Sequence, residues 1–296
     1  MNKYRTQKRR NSIIVCTIIC IVAFALLLTF SQNALLGRVS AGLPRDADFI
    51  KFVDVGQGDC AIIYSNGYCA VVDVGEPEEA TTVNKALKDY GIVDIDALII
   101  SHLHSDHVGA LPEIAELYPI QNLFMPKIYN KSIITAKIGK ETAIQNGAAF
   151  YEVDRGINFQ IGEFEITILS DYDGNLEEND RSVFVMAEID NTKILFTGDA
   201  ETKTENKLLE DNINIDCDIL KVSHHGSNTS SSERFLSEAT PDYAVISVGK
   251  GNSYSHPHTE TLKSLKKCGA KILRTDNNGD ITFDFTDDNI ELKTEK

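Results

Sequence analysis

The sequence predicts an α/β fold built in layers, an αββα sandwich of two sheets with helices outside, preceded by one N-terminal transmembrane helix. Three observations predict it. Short apolar runs of strand length alternate with helical stretches through residues 47–296, and the plan occurs twice in succession. Several of the apolar runs stop abruptly at histidine or aspartate, so donor side chains gather at strand ends. The eighteen residues Ile13 to Phe30 carry no charge and follow a flank containing Lys3, Arg5, Lys8, Arg9 and Arg10.

Residues 1–12 therefore read as a basic cytoplasmic tail and 13–30 as a membrane span. About 17–25 apolar residues cross a bilayer, and the basic flank stays in the cytoplasm. Residues 31–46 follow as a linker and 47–296 as one domain outside the cell, a single-pass arrangement in the cell membrane. Val39-Ser40-Ala41 has the small-residue pattern of a cleavage site, which leaves secretion after Ala41 as the alternative. Its distance from the apolar run favours an anchor.

Phe49 to Val55, Cys60 to Tyr64 and Tyr68 to Val74 are expected strands, punctuated by Gly56-Gln57-Gly58 and the hairpin turn Asn66-Gly67. Glu78 to Tyr90 is an expected helix, ended by Gly91. The buried run Ala97 to Ile100 precedes the polar segment Ser101 to Ala110, and a helix follows from Leu111 to Tyr118. A strand near Asn122 to Met125, a helix from Ile134 to Asn146 and strands at Ala149 to Val153 and Phe164 to Leu169 close the first half. In the second half, Ser182 to Ile189, Lys193 to Thr197, Ile219 to Val222, Tyr243 to Val248 and Lys271 to Arg274 read as strands. Helices are expected at Glu201 to Glu210, Ser231 to Glu238 and Thr259 to Lys267, and Thr275 to Gly279 reads as a turn between strands.

Residues 47–296 hold 22 basic and 43 acidic residues, a balance of −21. Such a charge repels polyanions at long range and argues against tight non-specific nucleic-acid binding, though not against a local cationic site created by metal ions. Lys127, Lys131, Lys137 and Lys140 are the dense basic candidate in the region after the polar segment. Cys60, Cys69, Cys217 and Cys268 show no CxxC spacing and read as small buried hydrophobes. A two-residue turn pairs Tyr64 with Cys69, so Cys60 and Cys69 are not opposed.

The segment Ser101 to Ala110, SHLHSDHVGA, is the chemical centre. Of seven histidines in the chain, three fall within six positions, with Asp106 among them. His102 and His104 are two apart and point the same way if the strand continues, while Asp106 and His107 lie on the following turn. Nitrogen and oxygen donors converging at a strand end suit a borderline cation such as zinc.

These residues, HxHxDH, resemble the signature of the metallo-β-lactamase-fold superfamily of metallohydrolases. Four more segments are similar to its ComEC-like branch of competence proteins for DNA internalisation: Asp54-Val55-Gly56-Gln57-Gly58-Asp59, Phe196-Thr197-Gly198-Asp199-Ala200, Lys221-Val222-Ser223-His224-His225-Gly226-Ser227, and Asn252-Ser253-Tyr254-Ser255-His256-Pro257-His258. The five run in family order across nearly all of Phe49 to Phe285. The resemblance implies the αββα fold and two divalent metal ions, zinc first and manganese second. It implies His102, His104 and Asp199 on one ion, with Asp106, His107, the bridging Asp199 and one of His224 or His225 on the other. Facing alternation permits only one of that pair as an easy ligand; His225 is favoured, which puts His224 near substrate.

Many superfamily members carry a further ligand histidine before the bridging aspartate, yet no histidine lies between His107 and His224. The ComEC-like branch has an Asn/Asp-rich stretch ending in serine there, matched by Asn179-Asp180-Arg181-Ser182. Asp106, His224 and His256 are the catalytic candidates, and Ser182, Asn252, Tyr254 and His258 the substrate-binding ones. Asp54, Asp59 and Asp73, near strand ends, suit either support of ligand imidazoles or turn formation. The implied activity is phosphodiester hydrolysis with nuclease action on DNA. The alternatives are phosphorylcholine ester cleavage on cell-wall teichoic acid, or a non-catalytic DNA- or polymer-binding module. The intact donor set argues against the last.

Overall fold

Adjacent isoleucines in the first hairpin turn to opposite sides of a sheet: Ile62 packs outward under helices and Ile63 inward against a second sheet. That alternation, repeated from strand to strand, generates the layers. A computed structural model describes residues 47–128, 133–170, 176–286 and 289–296. The expected membrane span, the linker, Ala41 and Lys131 lie outside the described residues. No helix among the described residues is long and apolar enough to cross a membrane.

The first sheet takes β1 (Asp48–Phe52), β2 (Ala61–Ser65), β3 (Tyr68–Val72), β4 (Ile95–Ile99), β5 (Ile120–Met125) and β6 (Ala149–Glu152) side by side in chain order. The second takes β7 (Asn158–Ile161), β8 (Phe164–Ile168), β9 (Val185–Ile189), β10 (Thr192–Phe196), β11 (Ile219–Lys221), β12 (Tyr243–Ile246) and β13 (Lys271–Arg274). The chain then returns: β14 (Ile281–Thr286) pairs antiparallel with β1, and β15 (Asn289–Thr294) pairs with β14. Helices α1 (Ala80–Asp89), α2 (Ser105–Val108), α3 (Leu111–Leu117) and α4 (Ile134–Gln145) cover the first sheet through Val83, Leu87, Val108, Leu111 and Ile114. Helices α5 (Thr202–Glu210), α6 (Glu233–Ala239) and α7 (Thr259–Cys268) cover the second through Leu208, Phe235, Leu236 and Leu265. Ile50, Phe52, Phe164, Phe196 and Phe283 fill the layer between the sheets.

The two halves are not independent sheets in sequence. The strand at Phe164, expected to close the first half, belongs to the second sheet, and the first sheet is completed by two strands from the chain end. The alternation Ile281, Phe283, Phe285 carries the period-two signal of β14, whereas β15 is a polar edge strand with little apolar signal. Asp106 and His107 sit on the one-turn helix α2, not on an open turn. Thr275–Asn278 forms a second one-turn helix, α8. The hairpin register pairs Tyr64 with Cys69, as its two-residue turn requires. All four described cysteines are free, and Cys268 is half-buried where a buried position was expected.

What places the site is strand direction. β3 through β6 run parallel, as do β10 through β13. The loops after β3, β4, β10, β11 and β12 therefore leave from carboxyl ends, and each supplies residues to one place.

Candidate metal centre

The loop after β4 delivers His102, His104, Asp106 and His107; the loop after β10 delivers Asp199; the loop after β11 delivers His224 and His225. Among the described residues, donor atoms of Asp106, His107, Asp199 and His225 lie within 4.8 Å of one another. His107 Nε2 is 3.2 Å from Asp199 Oδ1, and His225 Nε2 is 3.1 Å from Asp106 Oδ2 and 3.5 Å from Asp199 Oδ2. His102 and His104 approach each other at 3.1 Å through Nε2 and Nδ1, with the His102 ring 4.1 Å from that of His107.

Both imidazoles of the four-donor set are oriented from behind. His107 Nδ1–H donates to Asp73 Oδ2 at 2.9 Å, and His225 Nδ1–H donates to the Ser247 carbonyl at 2.9 Å. With Nδ1 protonated and spoken for, each ring turns Nε2 toward the centre as a metal-ligating histidine requires. Asp73 is itself held by Ser101, through the backbone N–H at 2.8 Å and the hydroxyl at 2.7 Å. Asp59 stands 3.4 Å from His225 Nδ1. Asp54 does not join them: its carboxylate accepts from Gly56 N–H and pairs with Lys296, the turn role.

The backbone is bent to make this possible. His224 and His225 both adopt left-handed conformations, φ +50° and +52°. The separation expected from extended alternation is thus achieved by a left-handed turn, which costs of order 1–3 kcal/mol per residue. His225 is buried beside Asp106 and Asp199, while His224 faces the cleft, its Nε2 3.9 Å from Asp199 and its Nδ1 3.4 Å from Glu201. Gly198, at φ +51°, lets the chain turn into Asp199; a Cβ there would meet the Ser101 hydroxyl at 2.8 Å. Gly58 lies so close to the metal loop that a Cβ would meet the Asp106 carbonyl oxygen at 2.6 Å.

The electrostatics of the four groups are mutual. Burial opposes charge on His107, but Asp199, Asp106, Asp73 and Asp59 outweigh it and hold its pKa well above the usual range. The same contest raises His225 to about 10. Burial also opposes the ionised form of Asp199, yet His225 and His107 hold its carboxyl well below normal. His102 goes the other way, lowered by burial and then by His107. His107 Nε2 and Asp199 Oδ1 are buried and face each other without forming a hydrogen bond. Two unspent, oppositely suited donor atoms aimed at one point fit a divalent cation with nitrogen and oxygen ligands.

Above the floor opens a cleft of 640 Å³ lined by His104, Asp106, Asn179, Asp199, His224, His225, Tyr254 and His256, with Gln57, Glu76, Glu78 and Glu79 on one wall. His256 is lowered to about 4 by burial and by His224, His225 and His258. Tyr254 is 62% exposed. Three expected substrate residues fall elsewhere. Ser182 is buried and its hydroxyl accepts from Asp199 N–H at 3.0 Å, so it supports the aspartate. Asn252 shapes its own loop, accepting from Tyr254 and His256 N–H and donating to Gly249 and His256 carbonyls. His258 Nδ1 accepts from Asn228 N–H, and its ring braces His256 edge-on. Asn179, which opens the Asn/Asp-rich stretch matched to the ComEC-like branch, reaches His224 Nε2 with its side-chain amide at 3.4 Å. None of Lys127, Lys137 and Lys140 lines the cleft; Lys140 lies over the Phe150 ring and Lys137 near Glu141.

Known proteins share this fold. Residues 53–250 match the family model for the metallo-beta-lactamase superfamily. The chain is 34% identical over 256 residues to ComE operon protein 3 of Bacillus subtilis, covering 80% of this chain and 33% of the relative. It is 28% identical over 245 residues to Competence protein ComA of Neisseria gonorrhoeae, covering 81% of this chain and 33% of the relative. The chain thus spans about a third of the length of these curated relatives. Among solved structures it is similar to the metallo-beta-lactamase fold protein YhfI of Bacillus subtilis, with a TM-score of 0.56 at 13% identity over 80% of this chain and all of that one. With a family match across most of the chain, the expected layers and four donors from both sheets meeting at one point, this chain belongs to the metallo-β-lactamase superfamily of hydrolases.

Proposed function

We propose that the domain is a metal-dependent phosphodiesterase with nuclease action, held at the outer face of the cell membrane by residues 13–30. The observation that carries this reading is the buried set Asp106, His107, Asp199 and His225 opening onto a cleft of 640 Å³, within the usual range for ligand pockets. Divalent ions held there, zinc or manganese by donor type, supply water acidified toward neutral pH and positive charge for phosphoryl oxygens. The chain does the rest. Asp73 and the Ser247 carbonyl keep the two Nε2 atoms aimed at the centre. His224, with Nδ1 toward Glu201, stands at the cleft as the proton carrier for a leaving oxygen. His256, neutral above about pH 4, adds an acceptor beside it, the two rings 5.5 Å apart. The competence role printed in a relative's name supports DNA as the polymer.

One observation favours a second reading. Glu76, Glu78, Glu79 and the exposed Tyr254 share the cleft, and carboxylates with an aromatic face suit a quaternary ammonium group. Phosphorylcholine esters of a cell-wall polymer combine that head group with a phosphoester. The metal-loaded protein should be offered single-stranded DNA, a simple aryl phosphodiester and an aryl phosphorylcholine. Cleavage of the first two, lost with chelator, is expected. Turnover of the choline ester alone selects the second reading, and no cleavage of any phosphoester overturns both.

A further inference from the structure

Beneath the donor set lies a buried ion pair for which the site as built from its ligands has no use. Lys221, at the end of β11, is 3% exposed. Its Nζ is 2.5 Å from Asp59 Oδ2 and 3.2 Å from the Val222 carbonyl oxygen. Asp59 in turn stands behind both oriented imidazoles, Oδ1 at 3.4 Å from His225 Nδ1 and Oδ2 at 3.8 Å from His107 Nδ1. Neither contact is a hydrogen bond, because each N–H is already given to Ser247 or Asp73, and Asp59 Oδ1 is left buried without a partner. The Asp59 main chain is fixed as well: its N–H donates to the Asp106 carbonyl and its carbonyl accepts from Gly75 N–H. A cavity of 10 Å³ lined by Asp59, Asp73, Lys221 and Ser247 adjoins the pair, the space of a single water.

The placement matters because a free carboxylate so near an imidazole N–H competes for it. If Asp59 swung toward His225, it would take the proton now shared with Ser247, and the ring would turn its Nε2 off the centre. Lys221 ties Oδ2 and stops that swing. Held at 3.4–3.8 Å, the carboxylate instead backs both rings with negative charge, which makes their Nε2 lone pairs better donors. One lysine thus steadies two ligands that come from opposite sheets.

We propose that Lys221 is a positioning residue of the metal centre, acting through Asp59 on His107 and His225. The inference rests on the metal-centre reading and is independent of the substrate. The test measures zinc affinity and the visible absorption of the cobalt-substituted protein for wild type, K221M, K221R and D59N/K221M, with thermal melts of each. K221M should bind zinc about tenfold or more weaker with an altered cobalt spectrum, and K221R should restore most of both. Should K221M fail to fold, the double variant removes the uncompensated charge; it should melt near wild type yet keep the weakened affinity and altered spectrum. A folded K221M or double variant with wild-type affinity and spectrum overturns the proposal, leaving the pair a stability element. A wild-type protein that binds no divalent ion overturns the metal-centre reading as well.

Discussion

Asp106, His107, Asp199 and His225 form a floor in which each member faces another, and residues behind them fix their orientation. His224, Tyr254 and His256 form a rim that borders the cleft, with Tyr254 largely in solvent. The floor draws on the carboxyl ends of strands in both sheets, and its charges compensate one another. The rim shares the loop after β11 with the floor and adds the loop after β12, where His256 is held by the polar side chain of Asn252. Affinity for ions is thereby separated from choice of substrate, so substitutions in the two regions should fail in different ways.

The largest expected effect breaks the floor. Asp199→Asn should abolish turnover and lower bound metal together, measured by activity and elemental analysis. His107→Ala should do the same and also reduce stability. His107 is fully buried and its loss leaves Asp73 short of a partner, a penalty of about 1–3 kcal/mol. Retained metal with lost turnover in both variants would erase the distinction between floor and rim.

Next in size is pH. In the metal-free protein His225 has a pKa of about 10 and His107 is also raised, so both rings are protonated at neutral pH and must lose protons to ligate. Metal uptake should release about two protons, and affinity should rise with pH by up to about 100-fold per unit in the neutral range. Calorimetry in buffers of different ionisation enthalpy measures this. The sign reverses for the metal-free fold. A raised folded-state pKa contributes stability that is complete below the unfolded value near 6.5 and lost as pH climbs through about 10. Metal-free and metal-loaded melting curves should therefore diverge as pH rises.

Asp73→Asn, which leaves every ligand in place, should weaken metal binding about 10–100-fold, read by competition with a chromogenic chelator. On the rim, His256→Ala and Tyr254→Ala should lower kcat/KM about tenfold, the scale of one lost contact, with metal content unchanged. The smallest effect is ionic. A domain of charge −21 repels DNA at low ionic strength, and at 0.1 M salt that repulsion is screened beyond the Debye length of about 10 Å. Moderate salt should therefore raise DNA cleavage a few-fold while a small phosphodiester is indifferent. A steep fall with salt would instead show extensive phosphate contacts.

The floor was legible because its chemistry is written locally: HLHSDH, the apolar strand before Asp199 and the one before His224-His225 are each contiguous. Parallel strands then bring those ends together. The rim was legible as a segment but not residue by residue. Asn252, His258 and Ser182 look like ligands for a substrate, but none lines the cleft and each makes hydrogen bonds within the protein. The acidic residues from Glu76 to Glu79 form a short charge run beside a strand end, and nothing in the run itself says that it borders a cleft. Asn179 was legible only as part of the stretch Asn179-Asp180-Arg181-Ser182; its reach to a histidine 45 positions away is not written locally. In the fold, β14 had the alternation of a strand, but nothing local says that it returns to the first sheet.

That return bears on how the molecule comes into being. β1 is the first described strand to be synthesised, and one of its two neighbours is β14, nearly the last. Lys51 in β1 is tied to Glu295, 244 residues on, and Lys296 to Asp54. Closing so large a loop is entropically expensive and slow. The inner strands can assemble as they emerge, but the β1 edge stays open to mispairing until the final hairpin arrives. Residues 281–296 thus act as a clasp on β1, and until they dock that strand keeps an unguarded edge.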